Sequence, residues 1–413
     1  MKVLLINNYL YHRGGAETVF LSTGSLLQSK GHDVVYYSQD WAENYQCDNE
    51  VYFPKGIDTR SKNFLDRIRG IRNYFYNEDA ARKIEELIII EKPQIAHIHN
   101  FWGGLSGSIL KVLKKYKIPV IHTVHDFRMV CPAYLFRNNK DEICEKCEGK
   151  NFIHCISNRC SRGSWIMSSL MCAEMYFRNY FTNPLDYIDG FMFVSNFCYD
   201  KCKSYVPRFN DKHCEVLYNF QDTNLLTHVN RELETYNGYY LYYGRLSHEK
   251  GINTLIKAFC FFSHLKLKIV GTGPLETDLR KQCSENGITN IEFYGYRTGT
   301  DLFDIIKNAK FVCVPSECYE NNPMTIIESY TLRTPVIGAA IGGIPEIVKD
   351  GKTGFTFQPG NVESLKNIIE KTELLDEYDY KEMKNRVDCF SKKHFGVEQY
   401  YTKLMEFYNR TIN

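Results

Sequence analysis

Short apolar runs alternate with helical patterns along this chain, and the alternation is run through twice. In the first half, apolar runs stand at 3–6, 34–37, 95–98, 120–124 and 191–194, with helical patterns at 16–28, 79–90 and 106–116. In the second half, runs at 239–243, 267–270, 291–293, 311–314 and 336–337 alternate with patterns at 252–262, 275–285, 301–308 and 324–332. Short β-rich runs separated by helices imply parallel sheets joined by right-handed crossovers. The fold class read from this is α/β, with two Rossmann-like domains.

A length of 413 residues suits two cores better than one. The polar, aperiodic segment 218–237 marks the linker. The expected division is 1–217 for the first domain and 218–395 for the second. An amphipathic segment at 396–413 returns to the first domain. In open sheets of this kind, ligands sit beyond the carboxyl ends of the strands. Two such edges facing each other would form a deep cleft.

The formal net charge is only +2, so no global field argues for nucleic acid. The N-terminal run 1–7 is too short for a signal peptide and reads as a strand. No stretch approaches the roughly 20 apolar residues of a membrane span. Fifteen cysteines without an export signal favour a reducing compartment, and the expected location is the cytoplasm. Aromatic residues reach 14%, which suits sugar or lipid surfaces, although a tyrosine-rich core is the simpler account.

The most informative segment is Glu320-Asn321-Asn322-Pro323-Met324-Thr325, followed by Glu328. Asn322 suits a helix N-cap and Pro323 a first helical position. Backbone N–H groups from Asn322 to Thr325 would then be offered to a phosphate or to sugar hydroxyls. Carboxylates such as Glu320 and Glu328 accept hydroxyl hydrogen bonds, though two glutamates alone are equally well read as surface charges. Arg245 and Lys250 lie on the loop after the run 239–243, where a guanidinium fork and an ammonium could clamp a diphosphate. Gly273, in Gly271-Thr272-Gly273-Pro274, marks a tight turn that a ligand could approach. Gly14 and Gly15 stand before the first helix, but not in a G-x-G-x-x-G pattern, so no dinucleotide cofactor follows.

In order and spacing, Gly244-Arg245-Leu246, Glu249-Lys250-Gly251, Gly271-Thr272-Gly273-Pro274 and the Glu320…Glu328 pair resemble the retaining glycosyltransferase family 4. The resemblance implies a GT-B fold and transfer of a sugar from a nucleotide diphosphate sugar. It implies that Arg245 and Lys250 hold the diphosphate, Glu328 the ribose and Glu320 the transferred sugar. Gly15 would lie against the diphosphate, Tyr296 near the base, and His125 at the sugar end. The family's common Glu-Gly-Phe-Gly is Glu320-Asn321-Asn322-Pro323 here, a departure that touches the sugar contacts most. The implied mechanism is front-face substitution without a catalytic metal: no Asp-x-Asp is placed to hold one, and the basic pair stabilises the leaving group.

Cys131, Cys144, Cys147, Cys155 and Cys160 crowd into thirty residues with His154 among them, a spacing compatible with structural zinc as well as with free thiols. Segment 62–76 interleaves basic and apolar residues at helical spacing, and 165–181 is rich in Met, Tyr and Phe. Either could rest on an anionic membrane, on the inner face of the plasma membrane, or pack into the first core. A lipid-linked or glycan acceptor in surface polysaccharide assembly fits the first option. The alternatives are a nucleotide-sugar epimerase, whose acid–base groups the sequence does not display, and a non-catalytic sugar-nucleotide or metal-binding protein.

Overall fold

The computed structural model describes residues 1–56, 64–161, 163–221 and 238–412. The expected linker lies outside them from residue 222 onward, as do Lys62 and Asn63 of the basic–apolar segment. The chain divides into two compact units, Met1–Leu217 with Tyr401–Asn413, and Tyr218–Tyr400.

The first unit holds a six-stranded parallel sheet. Its strands are β1 (Lys2–Asn7), β2 (Asp33–Tyr37), β3 (Ile95–Asn100), β4 (Val120–Val124), β5 (Gly190–Phe193) and β6 (His213–Val216), in the order β2-β1-β3-β4-β5-β6. Strands β4 and β5 are buried throughout, because crossover helices cover both faces of a parallel sheet. The connections after β1 and β3 leave toward opposite edges, so the carboxyl ends of these neighbours form the switch point where ligands bind in such sheets.

The second unit repeats the plan with β7 (Tyr239–Tyr243), β8 (Leu267–Val270), β9 (Ile291–Gly295), β10 (Ala309–Val314), β11 (Val336–Ala339) and β12 (Gly354–Phe357). The order β12-β11-β10-β7-β8-β9 puts its switch point between β7 and β10. The apolar runs did not indicate β6 or β12.

Much of the tyrosine surplus goes inside, and buried rings find partners for their hydroxyls, as burial requires. Tyr240 donates to Glu373 Oε1 at 2.6 Å, Tyr380 to the Lys310 carbonyl at 2.7 Å, and Tyr330 to the Thr353 carbonyl at 3.0 Å. Some helix starts carry side-chain caps for their exposed N–H groups: Asn361 accepts from Ser364 N at 2.9 Å and Asp376 from Asp379 N at 2.7 Å. The C-terminal helix Val397–Ile412 reaches the first unit's sheet, with Tyr408 Oη 2.7 Å from His97 Nδ1 and Phe407 stacked on His213 at 4.2 Å. Among the described residues, no helix is long and apolar enough to cross a membrane.

Candidate active site

In the second unit, the loops leaving β7 and β10 are knitted together by their backbones. Glu317 N donates to the Glu249 carbonyl at 2.9 Å, and within the β7 loop the Tyr242 side chain steadies the turn, its Oη donating to the Arg245 carbonyl at 2.7 Å. The loop from β7 closes in a short turn, His248–Lys250, and Gly251 then opens the helix Ile252–Phe259. Its last residue, Lys250, sets Nζ 2.6 Å from Glu320 Oε1 on the loop from β10. Ser316 donates to the same oxygen at 2.8 Å. The Lys250 side chain is 34% exposed and that of Glu320 13%.

Burial opposes charge on both groups, and the pairing overcomes it. Burial pulls the Lys250 ammonium down, but the Glu320 carboxylate beside it holds it above its ordinary range. Glu320 is likewise pushed up by burial, yet Lys250 and the bonds from Lys250 and Ser316 keep it below the usual carboxylate range. Both are therefore ionised at neutral pH. The backbone of Glu320 is clasped from a third loop, where Gly343 N donates to its carbonyl at 2.6 Å. Gly342 has φ +62°, and a Cβ there would stand 2.2 Å from that same carbonyl oxygen, so only glycine permits the approach.

The helix after Glu320 runs Met324–Thr331 with Pro323 as its N-cap. This corrects the expectation that Asn322 caps it. Asn322 instead turns its side chain to Asn219, accepting from the Asn219 backbone N–H at 2.8 Å, so it fixes the start of the second unit. The N–H groups of Met324 and Thr325 remain ahead of the intrahelical ladder. Glu328 lies on this helix against Tyr243, and burial raises its carboxyl to about 7 despite that hydrogen bond. Arg245 is exposed on the β7 loop. Its side chain makes no ion pair or hydrogen bond among the described residues. Gly273 packs against this loop: a Cβ on it would meet the Leu246 carbonyl oxygen at 2.3 Å. Tyr296 is 66% exposed just past β9.

In the first unit, Gly14 is the extended N-cap of the helix Gly15–Ser29, and Arg13 lies over the Tyr9 ring at 4.1 Å. Glu17 is buried one turn on, its carboxyl pushed up by burial while hydrogen-bonded to Asn7. His125 follows β4 with Nε2 2.9 Å from His99 Nδ1. Burial drives the His125 imidazole down to about 3, so the ring is neutral.

The sequence model described as "Glycosyltransferase Family 4" matches residues 13–225, half of the chain, and the model "Glycosyl transferases group 1" matches 228–388. The chain belongs to glycosyltransferase family 4. An uncharacterized glycosyltransferase of Methanocaldococcus jannaschii is 24% identical, the match covering 86% of this chain and 97% of that one. O-antigen chain mannosyltransferase C of Escherichia coli is 26% identical over 41% of this chain and 48% of the relative. Among solved structures, Anabaena HepE in complex with UDP-glucose matches 99% of this chain and 100% of its own at 16% identity, with a TM-score of 0.65. The architecture is that of GT-B glycosyltransferases, built on two parallel six-stranded sheets with flanking helices.

In this family 4 chain the cysteine-rich insertion does gather its thiols. Cys160 is hydrogen-bonded to Cys155 and Cys144, and Cys147 and Cys155 pack with Phe152, Cys172 and Met175. All are free thiols. Among the described residues no group of three or more His, Cys, Asp or Glu side chains is arranged to hold a metal ion. The ligand set expected for structural zinc is therefore not formed in this geometry. Burial pushes the Cys131 and Cys147 thiols up to about 12. His154 points aside, 3.4 Å from Asn151 Nδ2.

Sequence reading passed over Ser316, Tyr243, Asn219 and the Gly342-Gly343 pair. The glycine pair carried a usable signal, two glycines on a strand-to-helix turn. The others gave none.

Proposed function

We propose that this glycosyltransferase moves a hexose, with retention of configuration, from a nucleotide diphosphate sugar to a glycan or lipid-linked acceptor in surface polysaccharide synthesis. The observation that carries the reading is the Lys250–Glu320 pair at the switch point between β7 and β10. Lys250 and Arg245 neutralise the diphosphate, the second unit thereby serving the donor, and the N–H groups of Met324 and Thr325 add dipolar support. Glu320 accepts from hydroxyls of the transferred sugar and Glu328 from those of the ribose. Tyr296 flanks the base, and Gly273 shapes the loop that carries Arg245. In the first, acceptor-side unit, Gly14 and Gly15 leave room for the diphosphate, and His125 donates to the sugar. The leaving diphosphate takes the acceptor's proton in a front-face substitution, with the charge on its oxygens held by Arg245 and Lys250 and no catalytic metal required.

The UDP-glucose bound by the HepE neighbour supports a donor of this class, and the O-antigen relative supports a polysaccharide product. A screen of nucleotide sugars by calorimetry tests the donor. Binding by wild type that weakens at least tenfold in Lys250→Ala supports the assignment, and equal binding removes Lys250 from it. The anomeric proton of the product, followed by NMR, tests retention: an inverted product ends the front-face account.

A peripheral membrane contact is part of the proposal. The helix Trp165–Phe181 exposes Ile166 at 79% and Tyr180 at 83%, and the helix Phe64–Phe75 exposes Arg69 and Arg72 beside Ile68 and Ile71. Protein that stays at the bottom of a flotation gradient with anionic liposomes at low salt would sink this part alone.

A further inference from the structure

We propose that His99 is a positioning residue that fixes the tautomer of His125, holding the proton of that ring on Nδ1. The link to catalysis rests on the role given to His125 above, but the tautomer itself does not.

His97 and His99 alternate on one face of β3, and their rings lie 4.4 Å apart. His99 is 1% exposed, with its Nδ1 2.9 Å from His125 Nε2 and Phe20 edge-on at 5.4 Å. Only one proton can sit between these two nitrogens when both rings are neutral. Burial keeps them so, holding His99 well below its ordinary range and His125 near 3.

Two arrangements satisfy the contact. If His125 Nε2 donates, His99 must carry its own proton on Nε2. That nitrogen is buried without a hydrogen-bond partner. His97 cannot serve it, because Nδ1 of His97 is engaged with Tyr408 Oη and Nε2 with Thr123 Oγ1, each at 2.7 Å. If His99 Nδ1 donates, its Nε2 keeps only a lone pair in the apolar setting. Orphaned N–H groups are rarer in folded interiors than under-used acceptors. His99 is therefore the donor, His125 Nε2 the acceptor, and His125 is left with N–H at Nδ1.

The test uses the full chain labelled with ¹⁵N-histidine, with two-bond ¹H–¹⁵N NMR to read the tautomer and nucleoside diphosphate release to read turnover. The His125 signals are assigned by their loss in His125→Asn. Three substitutions separate the roles of His99. His99→Asn keeps an N–H near the place of Nδ1, and should preserve both the Nδ1–H signature and kcat to within about threefold. His99→Asp accepts instead of donating, moves the proton to Nε2, and should cut kcat roughly 100-fold, while donor KM moves much less. His99→Leu should give mixed tautomers and intermediate kcat. A wild-type His125 protonated on Nε2, or a tautomer unchanged in both His99→Asp and His99→Leu, overturns the proposal. If His125→Asn leaves turnover intact while the NMR pattern holds, the lock stands and only the assignment of His125 to the sugar falls.

Discussion

Lys250 and Glu320 lie 70 positions apart in sequence, yet their side chains meet at 2.6 Å where β7 and β10 diverge. The pair is ionised, and Glu320 is held twice more, by Ser316 on its carboxylate and by the Gly343 N–H on its backbone carbonyl. A switch point is where an α/β sheet offers unpaired backbone and room for a ligand. Here it also offers a cation for a diphosphate and an acceptor for sugar hydroxyls within one contact.

Breaking the pair from one side should cost stability as well as activity. Lys250→Ala strands a largely buried carboxylate, at about 1–2 kcal/mol once solvent around the lysine is allowed for. Transfer should fall roughly 100-fold. The double variant Lys250→Met/Glu320→Gln should regain most of the stability and none of the transfer. Urea melts and nucleoside diphosphate release measure the two separately.

Donor binding should strengthen as pH rises from 6 to 8. Burial raises the Glu328 carboxyl to about 7, and only its ionised form accepts from both ribose hydroxyls. A nucleotide sugar, whose phosphates do not titrate in this window, is the proper probe. Calorimetry should show Kd falling several-fold across the window in wild type and staying flat in Glu328→Gln.

The protein should lose stability as pH falls below 6.5. Burial depresses His97 and His125 to about 3 and His122 to about 4, so the unfolded chain binds protons that the folded chain refuses. Each such group removes roughly 1.4 kcal/mol per pH unit between the unfolded pKa and the folded one. Glu328 and Glu17, raised by burial, act in the opposite sense but are outnumbered. Melting temperature should drop steadily from pH 6.5 to 5, and a flat profile would mean that these rings are not shut away from protons.

Cys160 should be more reactive than Cys131, Cys147 and Cys155. Hydrogen bonds from Cys155 and Cys144 lower its pKa, whereas burial raises Cys131 and Cys147, and Cys155 is raised by its bond to Cys160 and by burial. Brief iodoacetamide treatment followed by peptide mass spectrometry should find Cys160 alkylated well ahead of those three.

The sequence made the sheets legible wherever a strand is buried on both faces, as with 120–124 and 239–243. It hid β6, whose His213, Glu215 and partial exposure at the sheet edge leave no apolar run, and β12, a four-residue strand that begins at Gly354. Lys250 and Glu320 stood out in the sequence where charge and turn chemistry coincide, and the structure brings their side chains together. The sequence was silent where a group acts through a distant backbone. Asn322 looked like a cap from its neighbours, but Asn219, 103 positions away, claims its side chain. The thiols of the insertion did come together, but spacing alone could not say whether they would surround a metal or hydrogen-bond one another.

The most direct test is turnover of a nucleotide-sugar panel by wild type and Glu320→Ala in the presence of a glycan or lipid-linked acceptor. The account predicts that wild type releases one nucleoside diphosphate and glycosylates the acceptor, and that Glu320→Ala does neither at a measurable rate. Equal rates in the two proteins, or no release from any donor in the panel, would contradict it.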